Sequence, residues 1–284
     1  MHDIEKNFRE NLKQTERRIQ KTICPIYGID NNDQPYLVGS SIPFRIQSRS
    51  FLVTAAHVLD EHQWTTLYTG GDEELVQLAG SSHRIQRPTA GRHVDNFDFG
   101  FIEISSSNSN QWSRYTFLTT SDLDAEDVPD GHTLYAFVGF PETRNRALRG
   151  HKFRLSAAIF VLLSCSFERY GSLGLNPGTH FLGEFDREKQ IDSERKVVTG
   201  PDPRGISGGG VWRLGRASEF ASPSNSEKLI GIGIEYRRAE KVLVGVRISL
   251  VLAALAATCP ELAKELPQSR RFRADISIST ENGL

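Results

Sequence analysis

Cysteine is scarce in this chain of 284 residues. Its three cysteines, Cys24, Cys165 and Cys259, lie far apart, and no two of them form a Cys-x-x-Cys pair. The missing pair excludes a zinc ribbon, and an odd number of widely spaced cysteines argues against a disulfide framework. A reducing compartment is the simpler interpretation, so we expect a cytoplasmic protein.

The chain also has almost no net charge and no long hydrophobic run. Its 34 basic and 35 acidic residues leave a formal net charge of −1, which gives no electrostatic reason to expect a nucleic acid or an anionic membrane as a partner. The longest apolar run, Ile248 to Ala257, is too short for a membrane span. Residues 1–21 are dense in charge and contain no apolar core, so we do not expect a signal peptide.

These first 21 residues instead have the pattern of an amphipathic helix. Ile4, Phe8, Leu12 and Ile19 recur at steps of four, four and seven residues, which places them on one helical stripe. We predict that this helix packs on the body of the protein. The alternative is that its stripe binds a regulatory protein partner.

From Cys24 onward the pattern changes to short strands separated by turn residues. Between Phe97 and Phe101, for example, aromatic residues alternate with Asp98 and Gly100, as in a strand with one buried face. A series of such strands predicts an all-β fold, either a sandwich or a pair of barrels.

The stretch from Gly205 to Trp212 places glycines on both sides of a single serine, Ser207. Glycine permits a sharp turn that exposes the hydroxyl and lets another molecule come close. The amides of Gly205 and Ser207 would then point at one spot, as an oxyanion hole requires. The pattern favours a nucleophile, although glycine–serine runs also form turns and linkers.

Two further residues have the chemistry that such a serine needs. His57 follows the strand-like run Phe51 to Thr54, and histidine is the usual general base near neutral pH. The alternative is a buried structural histidine at a strand end. Asp98 begins an apolar run, where an unpaired acid is costly and an imidazole N–H is a suitable partner. Asp95 is the alternative acid.

The order of these residues along the chain discriminates between folds. Gly205 to Gly209 also fits the G-x-S-x-G elbow of the α/β-hydrolases, whose histidine follows the serine. Here every histidine precedes Ser207; the eight are His2, His57, His62, His83, His93, His132, His151 and His180. A subtilisin-like order needs the acid before the histidine, so only the order histidine, aspartate, serine remains.

This order and these local sequences resemble the chymotrypsin/trypsin-like serine peptidases. The matching residues are Thr54-Ala55-Ala56-His57, Asp98 to Phe101 and Gly205 to Gly209. The first and third motifs are specific, and the second is weak by itself. The resemblance covers roughly residues 22–266 and is closest to the compact bacterial members of the family.

The resemblance implies two six-stranded antiparallel β-barrels, with the site in the cleft between them. Together with the patterns at the two ends of the chain, it also predicts a division into parts. The expected parts are an N-terminal amphipathic helix (1–21), an N-terminal barrel (22–125), a C-terminal barrel (126–248), a C-terminal helix (249–266) and a tail (267–284).

Roles for the site residues also follow from the resemblance. Ser207 is the nucleophile, His57 carries its proton, Asp98 orients the imidazole, and the amides of Gly205 and Ser207 hold the oxyanion. The expected function is a serine endopeptidase that cleaves peptides or proteins through an acyl-enzyme, without a cofactor or metal. The alternative is a catalytically silent scaffold of the same fold that binds a peptide or a partner.

One position departs from the family's pattern. Trypsin-type zymogens have an aspartate just before the serine, where it binds a newly cut N-terminus, and this chain has Ile206 there. An apolar side chain cannot anchor an ammonium group, so we do not expect activation by that route. A partner, a ligand or the N-terminal helix is then a candidate for ordering the oxyanion hole.

The specificity pocket is weakly defined by the sequence. The resemblance places its base near Pro201 and Asp202 and its wall along the strand that ends at Ile234 and Glu235, while Arg247 lies on the last strand. Arg247 in the pocket would favour an acidic substrate side chain, and an unpaired Asp202 or Glu235 a basic one. A mutual Glu235–Arg247 pair is an equal alternative.

Overall fold

The computed structural model describes residues 2–70, 75–86, 88–91, 96–104, 112–145, 156–191, 196–216, 227–267, 269 and 277–282. For residues 2–9 and 191 the description covers the backbone only. Antiparallel strands dominate this part of the chain, and short helices connect or flank them.

The elements are numbered in chain order. The strands are β1 (Cys24–Ile29), β2 (Pro35–Ile46), β3 (Arg49–Thr54), β4 (Tyr68–Gly70), β5 (Leu75–Gln77), β6 (Ser81–Ile85), β7 (Gly100–Ile104), β8 (Thr133–Gly139), β9 (Ala158–Leu163), β10 (His180–Glu184), β11 (Gln190–Ile191), β12 (Val197–Val198), β13 (Gly210–Arg216), β14 (Lys228–Arg237), β15 (Val242–Arg247) and β16 (Ile278–Asn282). The α-helices are α1 (His2–Gln20), α2 (Ala56–Asp60), α3 (Phe167–Ser172) and α4 (Ile248–Thr258).

Two antiparallel sheets contain all of these strands except the β11–β12 pair. The first sheet has the order β16-β6-β7-β3-β2-β1-β4-β5, and the second has the order β10-β15-β14-β13-β8-β9. Register shifts interrupt the long strands, for example between Ile26 and Tyr27 and between Gly233 and Glu235. Such bulges increase strand twist, and both sheets curl into half-barrels. The predicted all-β double-barrel class is confirmed.

The interior of the second half-barrel anchors the turn that carries Ser207. Five aromatic side chains pack there, and Ile206, only 6% exposed, belongs to the same cluster. These aromatic residues are Tyr135, Phe137, Phe160, Phe181 and Phe185. Since Ile206 directly precedes Ser207, core packing of the second half-barrel holds one side of the serine turn.

The predicted N-terminal helix is present as α1, and its C-terminal half is docked. Ile19 is 2% exposed and Leu12 packs against the main core. The hydroxyl of Thr15 donates to Glu227 Oε1 at 2.5 Å, and Arg18 pairs with the same carboxylate. The side chains of Ile4 and Phe8 lie outside the described residues, so the N-terminal half of the predicted stripe stays a prediction.

The C-terminal helix is shorter than the sequence predicts. The helix predicted over residues 249–266 ends at Thr258, and Pro260 begins a separate 3₁₀ turn, because proline has no amide to continue an α-helix.

No helix within the described ranges is both long and apolar enough to cross a membrane.

Residues 278–282 correct the prediction of a tail. They form β16, which pairs antiparallel with β6 at the edge of the first sheet, from Ile278 opposite Ile85 to Asn282 opposite Ser81. The first sheet consequently has eight strands instead of six. Backbone hydrogen bonds hold this edge strand, so its sequence needs little of the apolar alternation by which strands are recognised.

Candidate active site

His57 and Asp98 meet at the junction between α2 and the start of β7. The His57 Nδ1 atom lies 2.5 Å from Asp98 Oδ2, and the His57 amide donates to Asp98 Oδ1 at 2.9 Å. The amide of Ala56 donates to the Asp98 backbone carbonyl at 3.2 Å. The carboxylate therefore holds the imidazole and the backbone that carries it at the same time.

Burial differs sharply between the two partners. The Asp98 side chain is 9% exposed and the His57 side chain 37% exposed. Ala55 and Ala56 are fully buried, which allows the turn before His57 to pack tightly. The imidazole is thus bound at Nδ1 by a buried acid while part of its ring reaches the surface, which is the geometry a general base requires. Asp95, the alternative acid, lies outside the described residues.

The serine turn packs directly against the segment that leads into α2. Gly208 has a φ of +83°, in the left-handed region that favours glycine. A Cβ atom there would lie 2.0 Å from the Ser40 carbonyl oxygen and 2.1 Å from Thr54 Oγ1. Only a glycine after Ser207 lets the turn approach Thr54, three residues before His57.

Ser40, in β2, ties the two half-barrels together at this point, and sequence reasoning missed it. Its amide donates to the Ser207 carbonyl at 2.8 Å, and its hydroxyl donates to the Gly205 carbonyl at 3.0 Å. The same hydroxyl accepts from the Phe140 amide at 2.9 Å, while Thr54 Oγ1 donates to the Ser40 carbonyl at 2.7 Å. The only sequence signal is a serine within a largely apolar strand.

The Ser207 hydroxyl donates to the Ile234 carbonyl at 3.3 Å. Catalytic hydrogen bonds are often long in the absence of substrate and tighten only when it binds, so a bond between Ser207 and His57 stays a prediction. In the part of the chain that the structure describes, neither the Gly205 amide nor the Ser207 amide donates to another backbone group. Their role as oxyanion donors stays a prediction.

Arg247, predicted near the pocket, is 2% exposed, and its Nη1 and Nε atoms have hydrogen-bond partners in the interior. Its Nη1 donates to Asp127 Oδ2 at 3.2 Å and to the Asp127 carbonyl at 3.1 Å. Its Nε lies near the Pro177 and His180 carbonyls. Burial raises the pKa of Asp127, and Arg247 opposes that rise by favouring the carboxylate. These contacts favour a structural role for Arg247.

The other predicted pocket residues have different partners. Glu235 pairs with Arg237 at 2.8 Å, so the Glu235–Arg247 pair considered from the sequence is replaced by two separate pairs. Asp202 lies 3.4 Å from Arg187 Nη1 and also accepts the Arg204 amide. Ile234 is 4% exposed and contributes its carbonyl to the Ser207 hydroxyl. Their roles in substrate recognition stay predictions.

His180, at the start of β10, supports the segment that leads to Asp98. Its Nε2 lies 2.6 Å from the Asn96 carbonyl, and its ring stacks on Phe97 with centroids 5.4 Å apart. The Thr179 hydroxyl lies 2.8 Å from the other ring nitrogen. The second sheet therefore holds the acid-bearing segment of the first, a contact between distant residues that no local pattern indicates.

Comparison with known proteins identifies the architecture. The mouse protein in the solved structure titled "Neuropsin, a serine protease expressed in the limbic system of mouse brain" superposes with a TM-score of 0.52. The fold is chymotrypsin-like. The match covers 84% of this chain and 94% of neuropsin at 15% sequence identity, which shows the chymotrypsin-like fold alone. No protein-family model and no curated protein matches the sequence.

Replacing Gly208 tests the close approach between the half-barrels. Gly208→Ala should lower the free energy of unfolding by more than about 3 kcal/mol, because a Cβ clashes with backbone as well as requiring a left-handed φ. Gly131→Ala is the matched control: Gly131 has a φ of +73° and open space around its Cβ position. It should cost only about 1–2 kcal/mol. Equal losses in denaturant unfolding would contradict the packing argument.

Burial of His180 should make stability depend on pH. Burial lowers its pKa from the ordinary 6.5, so the folded protein opposes protonation while the unfolded chain accepts it. Stability is then fully present above about pH 6.5 and is lost as the pH falls toward the folded pKa. His180→Gln should reduce the loss of unfolding free energy between about pH 7.5 and pH 5.5. The exposed His132→Gln is the control, and an unchanged slope in His180→Gln would refute the prediction.

Proposed function

We propose that this protein is a serine endopeptidase, with Ser207 as nucleophile, His57 as general base and Asp98 as the residue that orients His57. The observation that carries the proposal is the two-point contact of the buried Asp98 with His57, beside a serine turn packed on the same segment. An acid that binds both a histidine ring and its amide leaves the ring few orientations, as base catalysis needs.

The proposed reaction is the one that the resemblance to the serine peptidases implies. The Ser207 hydroxyl attacks a peptide carbonyl as its proton passes to His57, and the Gly205 and Ser207 amides stabilise the resulting oxyanion. His57 then gives the proton to the departing amine, leaving an acyl-enzyme. A water molecule, deprotonated by His57, attacks the ester, and collapse of the second oxyanion releases the carboxylate product and returns the proton to Ser207.

The oxyanion-forming turn has supports other than an ammonium group. Ile206 packs in the aromatic core of the second half-barrel, and the Ser40 hydroxyl holds the Gly205 carbonyl. These contacts support a turn that forms without cleavage of the N-terminus. We therefore propose activity that does not require a newly exposed N-terminal amine.

Substrate selection rests on fewer observations. Asp202 and Glu235 each have an arginine partner, at 3.4 and 2.8 Å respectively, and Arg247 is buried against Asp127. Such pairs reduce the charge available to a substrate. The proposed substrates are accordingly peptides or proteins chosen without a strong preference for a charged side chain.

The compartment proposed is the bacterial cytoplasm. Cys24, Cys165 and Cys259 are buried as free thiols, which suits a reducing environment. Burial raises the pKa of Cys165 to about 11 and that of Cys24 as well, so both thiols stay protonated and unreactive. A protease in this compartment needs narrow specificity or control by a partner.

One observation favours the alternative of a catalytically silent scaffold: the Ser207 hydroxyl is directed at the Ile234 carbonyl. If the hydroxyl kept this hydrogen bond when a peptide bound, the protein would bind the peptide without cleaving it. Covalent labelling of the serine distinguishes the two functions.

A fluorophosphonate probe should label the parent protein at Ser207, because only an activated serine attacks phosphorus rapidly. Ser207→Ala should abolish labelling and lower peptide hydrolysis by about 10³-fold or more, with unchanged thermal unfolding. Ser41→Ala is the control, because it removes the hydroxyl of a different serine, which lies opposite Cys24 of β1. This variant should keep the label at Ser207. A parent protein that is folded but unlabelled would support the silent scaffold.

Replacing the acid should impair the base while leaving its position intact. Asp98→Asn keeps an oxygen for the His57 amide but presents an NH₂ group to Nδ1, which forces the imidazole proton onto Nε2. The value of kcat/KM should fall by about 10³- to 10⁴-fold. Asp95→Asn should change kcat/KM much less. The reverse ranking in peptide assays would move the acid to Asp95.

A further inference from the structure

The helix α2, which carries His57, has few means of holding its own position. It is five residues long, and Ala55 at its N-cap makes no side-chain hydrogen bond to the first turn. Its last residue, Asp60, places a carboxylate at the end of the helix where the backbone carbonyls already carry partial negative charge. A helix this short is stable only through contacts with the rest of the protein.

Two sets of contacts hold the first turn and the apolar face of α2. The carboxylate of Asp98 accepts the His57 amide at 2.9 Å. Leu59 is fully buried, and a Cβ at Gly100 of β7 would lie 2.8 Å from Leu59 Cδ1. These contacts act on the beginning and on one side of the helix, whereas Asp60 lies at its other end.

Arg84 of β6 contacts that other end. Its Nη1 donates to Asp60 Oδ1 at 2.9 Å, and the two side chains are only 11% and 15% exposed. The guanidinium supplies the cation that favours a carboxylate at a helix C-terminus. Because water screens a largely buried pair less than a surface pair, this contact can hold α2 in place.

The same guanidinium also pairs with a carboxylate of the C-terminal strand. Arg84 lies opposite Ser279 of β16, and its Nη2 pairs with Glu281, two residues further along β16 and on the same face of the sheet. Arg84 therefore lies between a carboxylate of α2 and a carboxylate of β16. Through this one side chain the edge strand of the first sheet is connected to the helix that carries His57.

We propose that Arg84 is a positioning residue for His57, and that Glu281 of β16 keeps the Arg84 guanidinium directed at Asp60. Asp60 lies three residues after His57, almost one helical turn, so a displacement of Asp60 tilts the helix that presents the imidazole. A displacement of about 1 Å can cost about 10²-fold in rate. The effect on hydrolysis rests on the proposed function, whereas the effect on the imidazole does not.

The orientation of the imidazole is measured on the Ser207→Ala protein, so that no hydrolysis is needed. The ¹⁵N NMR shifts of the His57 ring report the ratio of the Nδ1–H to the Nε2–H tautomer at about pH 9, above the usual titration range of histidine. The contact with Asp98 should keep the proton on Nδ1, and Asp98→Asn assigns the signals by moving it to Nε2. Arg84→Met should lower this tautomer ratio at least about threefold.

Arg49→Met is the matched control. Arg49 also lies between two carboxylates, those of Glu103 and Glu261, but at the start of β3, the end of that strand remote from α2. It should leave the tautomer ratio of His57 unchanged. Glu281→Gln should lower the ratio, and Glu261→Gln, the corresponding change in the control, should not.

A double substitution separates positioning from the cost of an unpaired buried charge. Arg84→Met alone removes a cation from a largely buried carboxylate, which lowers stability whatever happens to α2. Arg84→Met combined with Asp60→Asn removes both charges, so thermal unfolding should return toward that of the parent. The tautomer ratio of His57 should stay low, because no ion pair holds the end of α2. This variant gives a result even if the single variant does not fold.

The effect on hydrolysis is measured with Ser207 intact. Arg84→Met should lower kcat for a peptide at least about tenfold while KM changes less than about threefold, and Arg49→Met should change both less than about twofold.

Four results would overturn the positioning role: an unchanged tautomer ratio in Arg84→Met, an equal fall in Arg49→Met, recovery of the ratio together with stability in the double variant, or an unchanged kcat in a protein that hydrolyses peptides. An unchanged ratio in Glu281→Gln would overturn the part assigned to β16. A lowered ratio in Arg84→Met, in a protein whose parent hydrolyses no peptide, would support the positioning of His57 and count against the proposed function.

Discussion

The approach of two backbones at Gly208 is the constraint on which the candidate site depends. His57 lies in α2 and Asp98 just before β7 of the first sheet, whereas Ser207 lies in the turn before β13 of the second, so neither sheet contains the site by itself. Gly208 allows the turn to reach the carbonyl of Ser40 and the hydroxyl of Thr54. Buried hydrogen bonds around Ser40 then hold the turn in place, which is the preorganisation that positioned chemistry requires.

The serine turn is held by apolar packing of one residue and by hydrogen bonds to its backbone carbonyls. Ile206 is packed into an aromatic core, while the carbonyls of Gly205 and Ser207 are held by Ser40. Replacing a charged anchor by an apolar one removes the need for a buried ion pair at this position.

The elements that the sequence predicted well are those with a local pattern. The alternating strands, the helix α1 and the short motifs around His57 and Ser207 each depend on neighbours along the chain. The strand β16 and the shortened α4 were predicted incorrectly: β16 is an edge strand with a mostly polar sequence, and proline ends α4. The support of the Asp98 segment by His180 joins residues more than eighty positions apart.

The sequence by itself determined the all-β class, the chain order of histidine, acid and serine, and the apolar character of Ile206, because each follows from residue type and spacing. Only the tertiary structure decided that Asp98 binds both the ring and the amide of His57. It also decided that Ser40 joins the half-barrels and that Arg247 pairs with Asp127 in the interior. These pairings depend on how two curled sheets meet. Contact across that junction is set by packing of the whole core, which no local pattern records.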